Sequence, residues 1–220
     1  MRTCGLIFVA ACLSFGFLRA GAGDQLSADK IARLVMQLGD DHFSQREAAS
    51  EELNRIGEPA LDALRKSASS DDPEVRYRAE QIRTAIVKRV LAVASKKELE
   101  GLQGTWQSIE TEVDGVRQTG AIKPATHVFK GDRLIGKDGE KVFHAATLKV
   151  IEVAGKRVKI DFVITEGDRR GDTWIGVFER SGDELKWCGS YASDGYGRPA
   201  ALATKPGDGH FFRALKRVKK

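Results

Sequence analysis

The spacing of hydrophobic residues changes once along this chain, and the change divides it into two kinds of structure. Between residues 27 and 94 apolar side chains recur every three to four positions, which is the period of an amphipathic helix. After residue 100 apolar and polar side chains alternate, and Val, Ile, Phe, Trp and Thr become frequent, as in β-strands. We therefore expect an α+β protein with a helical domain over 27–94, a charged linker over 95–100 and a β domain over 101–218.

The helical domain is expected to contain four helices, each with one apolar stripe that faces the core. The stripes are Ile31, Leu34, Val35 and Leu38; Ala49, Leu53 and Ile56; Leu61, Leu64 and Ala68; and Val75, Ala79, Ile82, Ile86, Val90 and Val93.

Residues that start or stop helices lie between these stripes. Gly39 and Gly57 are placed to end helices in the left-handed conformation, and Ser44-Gln45-Arg46-Glu47 has the pattern of a capping box. Pro59 and Pro73 fall at first-turn positions. The chemistry of the helix ends therefore agrees with the hydrophobic period.

The helical domain also contains a weak internal repeat. A shift of 31 residues aligns Asp40-Asp41 with Asp71-Asp72 and Ala48 with Ala79. The string DDPEVRYRAEQI at 71–82 is similar to the opening of a HEAT repeat, in which aspartate caps the helix. This resemblance implies a small HEAT-like bundle with a surface for a protein partner. The alternative is a structural spacer.

The β domain is expected to contain eight short antiparallel strands. Turn sequences such as Lys130-Gly131-Asp132 and Ser181-Gly182-Asp183 separate them. The predicted strands run near residues 104–113, 125–130, 133–137, 141–152, 157–165, 173–180, 184–191 and 209–217. So many short strands indicate a barrel or a sandwich, and a closed barrel has no exposed sheet edges.

Residues 1–22 have the pattern of a signal peptide. Arg2 precedes an apolar segment over Leu6–Leu18, and an A-x-A site predicts cleavage after Ala22. We therefore expect a secreted or periplasmic protein. The alternative is a lipoprotein anchored through Cys12, for which only about five apolar residues precede the cleavage point. No later apolar run reaches the length of a transmembrane helix.

Cleavage would leave Cys188 as the single cysteine of the mature chain. No internal disulfide is then possible, and we expect this thiol to be buried and unreactive. The formal net charge of the whole chain is only +5, and part of the basic excess lies in the last residues. For an exported chain, this modest charge argues against binding to nucleic acid.

Six sequence blocks of the β domain together resemble an uncharacterised domain that is expanded in the planctomycete lineage. The blocks are LQGTW (102–106), FKGDRL (129–134), KDGEKV (137–142), WIGVFERSGDELKWC (174–188), GRPAALATKPGDGH (197–210) and ALKRVKK (214–220). The chain departs from the family where Ala201 or Leu202 replaces a usual phenylalanine. The resemblance implies an exported, lipocalin-like β-barrel and no particular reaction.

The sequence Gly104-x-Trp106 is similar to the G-x-W motif of lipocalins, whose indole closes one end of the barrel. In that motif an arginine of the last strand lies across the ring. The resemblance therefore implies that Trp106 is a barrel plug and that Arg213 or Arg217 covers it through a cation–π contact.

Six residues are candidates for contact with a ligand inside the barrel or at its mouth. They are His127, His144, Trp187, Tyr191, Tyr196 and Arg198. Strand alternation turns both histidines inward, where a histidine is either a ligand-binding residue or a hydrogen-bonded core residue. No metal site is expected, since no spacing rule links the two histidines.

The chain contains no G-x-S-x-G, H-E-x-x-H, paired-cysteine or P-loop motif. We therefore expect a non-enzymatic binding or protein-interaction protein that needs no cofactor. Its ligand would be a small apolar molecule in the barrel. Two alternatives stay open: an extracytoplasmic hydrolase that uses carboxylates at the barrel mouth, and a purely structural envelope scaffold.

Overall fold

The computed structural model describes residues 22–119 and 125–219. They form two compact units that divide between Ile86 and Val87. The first contains helices, and the second is dominated by an antiparallel β-barrel. The predicted α+β order of helices followed by a barrel is confirmed. The predicted signal peptide, apart from Ala22, and the alternative anchor at Cys12 lie outside the described residues.

Four helices precede the strands, as predicted. Their bounds are α1 Ala22–Gln37, α2 Phe43–Ile56, α3 Leu61–Lys66 and α4 Pro73–Leu102, with 3₁₀ turns at Glu58–Ala60 and Ser67–Ser69. Most of the predicted stripe residues of the first unit are buried, namely Ile31, Leu38, Ala49, Leu53, Leu64, Val75, Ala79, Ile82 and Ile86. The 3.6-residue period therefore identified the helical core.

The repeat lies one residue away from its predicted register. Helices α2 and α4 begin at Phe43 and Pro73, which are 30 residues apart. A shift of 30 aligns the buried Ala49 with the buried Ala79, whereas Ala48, the residue aligned by a shift of 31, is exposed. The shift of 31 was therefore wrong, because it paired a core position with a surface position.

The predicted helix ends are partly correct. Gly57 has a φ of 77° and donates its N–H to Leu53 O, and Asp72 Oδ1 accepts from the N–H of Glu74 at 2.8 Å. The Ser44–Glu47 capping box was wrong, because α2 begins one residue earlier, at Phe43. Gly39 does not have the positive φ that was predicted for it. A Cβ added at Gly39 would lie 2.5 Å from Asp72 Oδ2. Close packing, and not backbone conformation, therefore requires this glycine.

The predicted linker over 95–100 is helical, since α4 continues to Leu102. Its sequence, SKKELE, contains good helix formers and neither glycine nor proline. The partly buried Leu91 and Leu99 pack against the barrel core, and Leu102 is a member of that core. The last turns of α4 therefore belong to the barrel unit.

The eight predicted strands are all present, and their ends lie within two residues of the predictions. The bounds are β1 Gly104–Val113, β2 Val116–Arg117, β3 Thr126–Lys130, β4 Arg133–Asp138, β5 Lys141–Ala154, β6 Arg157–Glu166, β7 Thr173–Ser181, β8 Glu184–Tyr191 and β9 Phe211–Arg217. The short β2, which was not predicted, pairs with β1. The other eight strands form a closed antiparallel barrel, because β1 pairs with both β3 and β9.

Inward-facing apolar side chains fill much of the barrel. They form one cluster that includes Trp106, Phe129, Leu134, Leu148, Ile160, Phe162, Trp174, Phe178, Leu185, Trp187 and Leu215. Among the described residues, no helix combines the length and the apolar character that crossing a membrane requires.

Candidate functional site

One end of the barrel is closed by Trp106. This side chain is fully buried, and its indole N–H donates to Leu102 O at 2.7 Å. The guanidinium carbon of Arg217 lies 4.1 Å from the centroid of the indole. Arg217 also donates to the carbonyl oxygens of Gly101 and Gln103. Of the two predicted arginines, Arg217 therefore covers the indole, and every polar group of this plug has a partner.

Arg213 occupies a different place, inside the barrel. It pairs across the sheet with Trp187 of β8, so the two side chains share the inner face. It precedes Arg217 by four residues, or about 13 Å along a strand. The prediction that Arg213 is an alternative plug residue is thus not supported, since its position in β9 places it deeper in the interior.

Arg213 lies beside the two inward-facing histidines. Its Nη1 is 3.3 Å from His127 Nε2, and Ser108 Oγ is 3.1 Å from the same nitrogen. His127 is fully buried and His144 is 7% exposed, with 6.1 Å between their ring centroids. Strand alternation therefore predicted correctly that both imidazoles point inward.

Two tryptophans contact these imidazoles. Trp187 packs on His127 at 5.2 Å between ring centroids, and Trp174 packs on His144 at 4.6 Å. Tyr191 lies next to Trp174, at 5.6 Å. The structure thus brings together His127, His144, Trp187 and Tyr191 of the predicted ligand residues. Trp174 was not among the predicted ligand residues, although its place on β7 directly opposite Tyr191 indicates the same face.

We call His127, His144, Trp174, Trp187 and Arg213 the interior polar cluster. Each carries one buried nitrogen with no hydrogen-bond partner among the described residues: His127 Nδ1, His144 Nε2, Trp174 Nε1, Trp187 Nε1 and Arg213 Nε. A buried polar atom without a partner costs about 1–3 kcal/mol. Two further atoms of this kind, Thr165 Oγ1 and Arg180 Nε, lie elsewhere in the barrel unit. Five in one cluster require a physical explanation.

The cluster carries one positive charge. Burial, followed by the Arg213 charge, lowers the pKa of His144 to about 4, and the same causes hold the pKa of His127 well below 6.5. Both imidazoles are therefore neutral at pH 7, whereas a guanidinium stays charged. Among residues 22–119 and 125–219, no carboxylate forms an ion pair with Arg213.

Partly buried aromatic side chains surround the cluster on the side away from Trp106. Phe211 of β9 lies opposite Val113 of β1, whose side chain is 45% exposed. The ring centroids of Phe211 and Trp174 are 5.4 Å apart. The Arg169 guanidinium lies 3.9 Å above the Tyr191 ring, where Asp194 Oδ1 holds it at 2.6 Å. This end of the barrel, which we call the aromatic mouth, is the candidate entry to the interior.

The other two predicted ligand residues do not join the cluster. Arg198 donates to Ile160 O and Gly176 O and forms a 2.5 Å ion pair with Asp161. Asp161 alternates with the interior Ile160, so this ion pair lies on the outer face of the sheet. Tyr196 is 42% exposed and packs against Gly209. Their loop therefore crosses the outside of the barrel, and a role for Tyr196 and Arg198 in ligand binding stays a prediction that is separate from the interior polar cluster.

The 192–210 loop also covers the single cysteine of the predicted mature chain. Cys188 is 1% exposed and belongs to an outer cluster against which Leu202 packs. Its Sγ donates to Ala203 O at 3.4 Å, and burial raises the pKa of the thiol to about 11. The predicted burial of this cysteine is confirmed.

Comparison with protein families, curated proteins and solved structures finds no match to this chain. Within the described part of the chain, no group of three or more His, Cys, Asp or Glu side chains is arranged to hold a metal ion.

Proposed function

We propose that this chain is an exported, non-enzymatic binding protein whose barrel holds one small molecule at the interior polar cluster. The observation that carries this proposal is the set of five buried nitrogens without partners around Arg213. Binding sites combine apolar walls with a few convergent polar groups, and the cluster among its aromatic neighbours has this composition.

The two ends of the barrel provide an internal comparison. At the closed end, the buried indole N–H of Trp106 has a carbonyl partner, and Arg217 has carbonyl and carboxylate partners. Arg180 Nε, beside Gly101, is the exception at this end, since it has no partner among the described residues. Toward the aromatic mouth, the indole N–H groups of Trp174 and Trp187 have none among the described residues. Apolar side chains would stabilise a purely structural barrel more than buried N–H groups without partners do. The unpaired N–H groups of Trp174 and Trp187 therefore favour a ligand site over a scaffold.

A hydrolase is the second candidate, because Ser108 Oγ lies 3.1 Å from His127 Nε2. A general base works best with a pKa near the working pH, and the pKa of His127 is held far below it by burial and by Arg213. The same nitrogen also faces the Arg213 guanidinium. These features make His127 a poor base and favour binding over catalysis.

Several predictions from the sequence remain part of the proposal. They are export through a signal peptide, membership of the planctomycete family, likeness to lipocalins and the HEAT-like character of the helices. A protein partner on the helical unit would meet the exposed aromatic residues Phe43 and Tyr77 on α2 and α4.

Native mass spectrometry of the protein purified from its natural host tests the proposal. We expect a chain that begins at Gly23 and carries one additional small mass, which Trp187→Ala removes. The matched control is Arg133→Gln, an exposed change on β4, which should keep the adduct. A bare mass for the wild-type protein, together with turnover of ester substrates that Ser108→Ala abolishes, would replace binding by hydrolysis.

A further inference from the structure

We infer that the molecule held in the barrel is a monocarboxylate with a short apolar or aromatic tail, its oxygens facing Arg213. This inference rests on the proposed function and adds the chemical class of the ligand. Three properties of the interior polar cluster lead to it: the direction of its hydrogen bonds, its net charge and the side chains that surround it.

The unpaired atoms are mainly donors. An indole N–H and a guanidinium N–H only donate, so Trp174, Trp187 and Arg213 each need an acceptor. His127 is a fourth donor: because Arg213 can only donate to its Nε2, the neutral imidazole carries its proton on the unpaired Nδ1. A ligand that satisfies four donors must supply several acceptor oxygens and few donors.

The charge of the cluster selects one anionic group. Burial lowers the pKa of Arg213, but a guanidinium stays protonated at pH 7. It has no carboxylate partner among the described residues, and the neighbouring histidines, whose pKa values are lowered, are neutral at this pH. A monoanion neutralises this single charge, whereas a dianion would bring one unbalanced negative charge into the interior. A carboxylate presents two acceptor oxygens and one negative charge, and it is the planar anion that a guanidinium binds best.

The aromatic side chains around the interior polar cluster indicate the kind of tail that the ligand carries. Phe162 lies 5.4 Å from Trp187 and 6.0 Å from Trp174, and Phe143 lies 4.5 Å from His144, between ring centroids. Phe211, nearest the aromatic mouth, is two residues or about 7 Å along the strand from Arg213. The part of a ligand beyond its carboxylate would therefore contact aromatic rings, which favours a phenyl ring or a short alkyl chain.

Titration of tryptophan fluorescence with matched pairs of compounds tests the inference at pH 7.5. Phenylacetate is compared with phenylacetamide, and hexanoate with hexanamide, because each pair keeps the shape and removes the charge. We expect each acid to bind at least about tenfold more tightly than its amide, since charge-assisted hydrogen bonds are roughly twice as strong as neutral ones.

Variants connect this preference to named residues. Arg213→Gln should abolish the preference for the acid, and Arg213→Lys should retain part of it. Trp187→Phe keeps an aromatic ring but removes one donor, and should weaken binding of the acid several-fold. Arg133→Gln removes the same formal charge from the exposed face of β4 and should leave the preference unchanged.

Each outcome separates this inference from the proposal on which it rests. Equal binding of acid and amide, or a preference that survives Arg213→Gln, overturns the carboxylate inference and leaves binding in the barrel standing. If no compound binds while native mass spectrometry shows a co-purified molecule, the inference is wrong and the proposed function holds. If no compound binds and the purified protein is bare, both fail.

Discussion

Acidification should destabilise the barrel well above the pH at which carboxylates titrate. An unfolded histidine takes up a proton near pH 6.5, whereas burial and Arg213 keep the folded pKa of His144 at about 4. Between these two values the unfolded state binds more protons than the folded state. The stabilising contribution is therefore complete above pH 6.5 and is lost as the pH falls toward 4.

The size of the effect follows from the difference between the two pKa values. A separation from 6.5 to about 4 corresponds to about 3 kcal/mol in full, of which about 2–3 kcal/mol is already lost at pH 4.5. His127 contributes in the same direction, because burial and Arg213 also depress its pKa. Asp172 and Asp208, whose pKa values are lowered from 3.8, begin to contribute only below this window.

Urea unfolding followed by tryptophan fluorescence at several pH values between 7.5 and 4.5 measures this loss. All three tryptophans of the chain lie in the barrel unit, so the signal reports the barrel alone. We expect the wild type to lose at least about 2 kcal/mol over this range. His144→Gln should lose clearly less.

His42→Gln is the matched control, because it removes an imidazole from the helical unit and not from the barrel. The barrel transition of this variant should keep the wild-type pH dependence. A wild-type stability that does not change between pH 7.5 and 4.5, or an unchanged slope in His144→Gln, would refute the reasoning.

Three further predictions concern other parts of the fold. Arg217→Gln should lower the stability of the barrel by about 1–3 kcal/mol, because Trp106 loses its cation–π contact and two carbonyl groups lose a charged donor; an unchanged urea midpoint would contradict this role. Cys188 should react with a thiol reagent far more slowly in the folded protein than in urea, and Arg198→Ala should speed the reaction by loosening the 192–210 loop; equal rates in all samples would show that the loop does not protect the thiol. Asp72→Ala should cost the helical unit about 1 kcal/mol through loss of an N-cap, measured by circular dichroism; no loss would exclude the capping role.

The strands were predictable because alternation and turn residues act locally. Each strand carries its own period of two, and glycine turns such as Gly131 and Gly182 mark the ends of neighbouring strands. The strand β2 was not predictable, since two residues have no period and pair only once β1 is in place. The end of α4 was missed because its charged surface residues resemble a connector, while Leu99 and Leu102 find their partners only in the folded barrel.

The candidate site was predictable only in part, for a similar reason. Alternation correctly turned His127 and His144 inward. It cannot distinguish Arg213 from Arg217, which share one face of β9, because the register between β9 and β1 decides which of them meets Trp106. Arg198 lies in a loop without a period, and so its direction could not be derived from the sequence.

The indole N–H signals of a ¹⁵N-labelled sample give the most direct test of a carboxylate site at the interior polar cluster. Trp106 already donates to Leu102 O, whereas Trp174 and Trp187 have no acceptor among the described residues. On addition of phenylacetate we expect the Trp187 and Trp174 signals to shift downfield while the Trp106 signal stays in place. Three unchanged signals, or equal shifts for all three, would contradict the account.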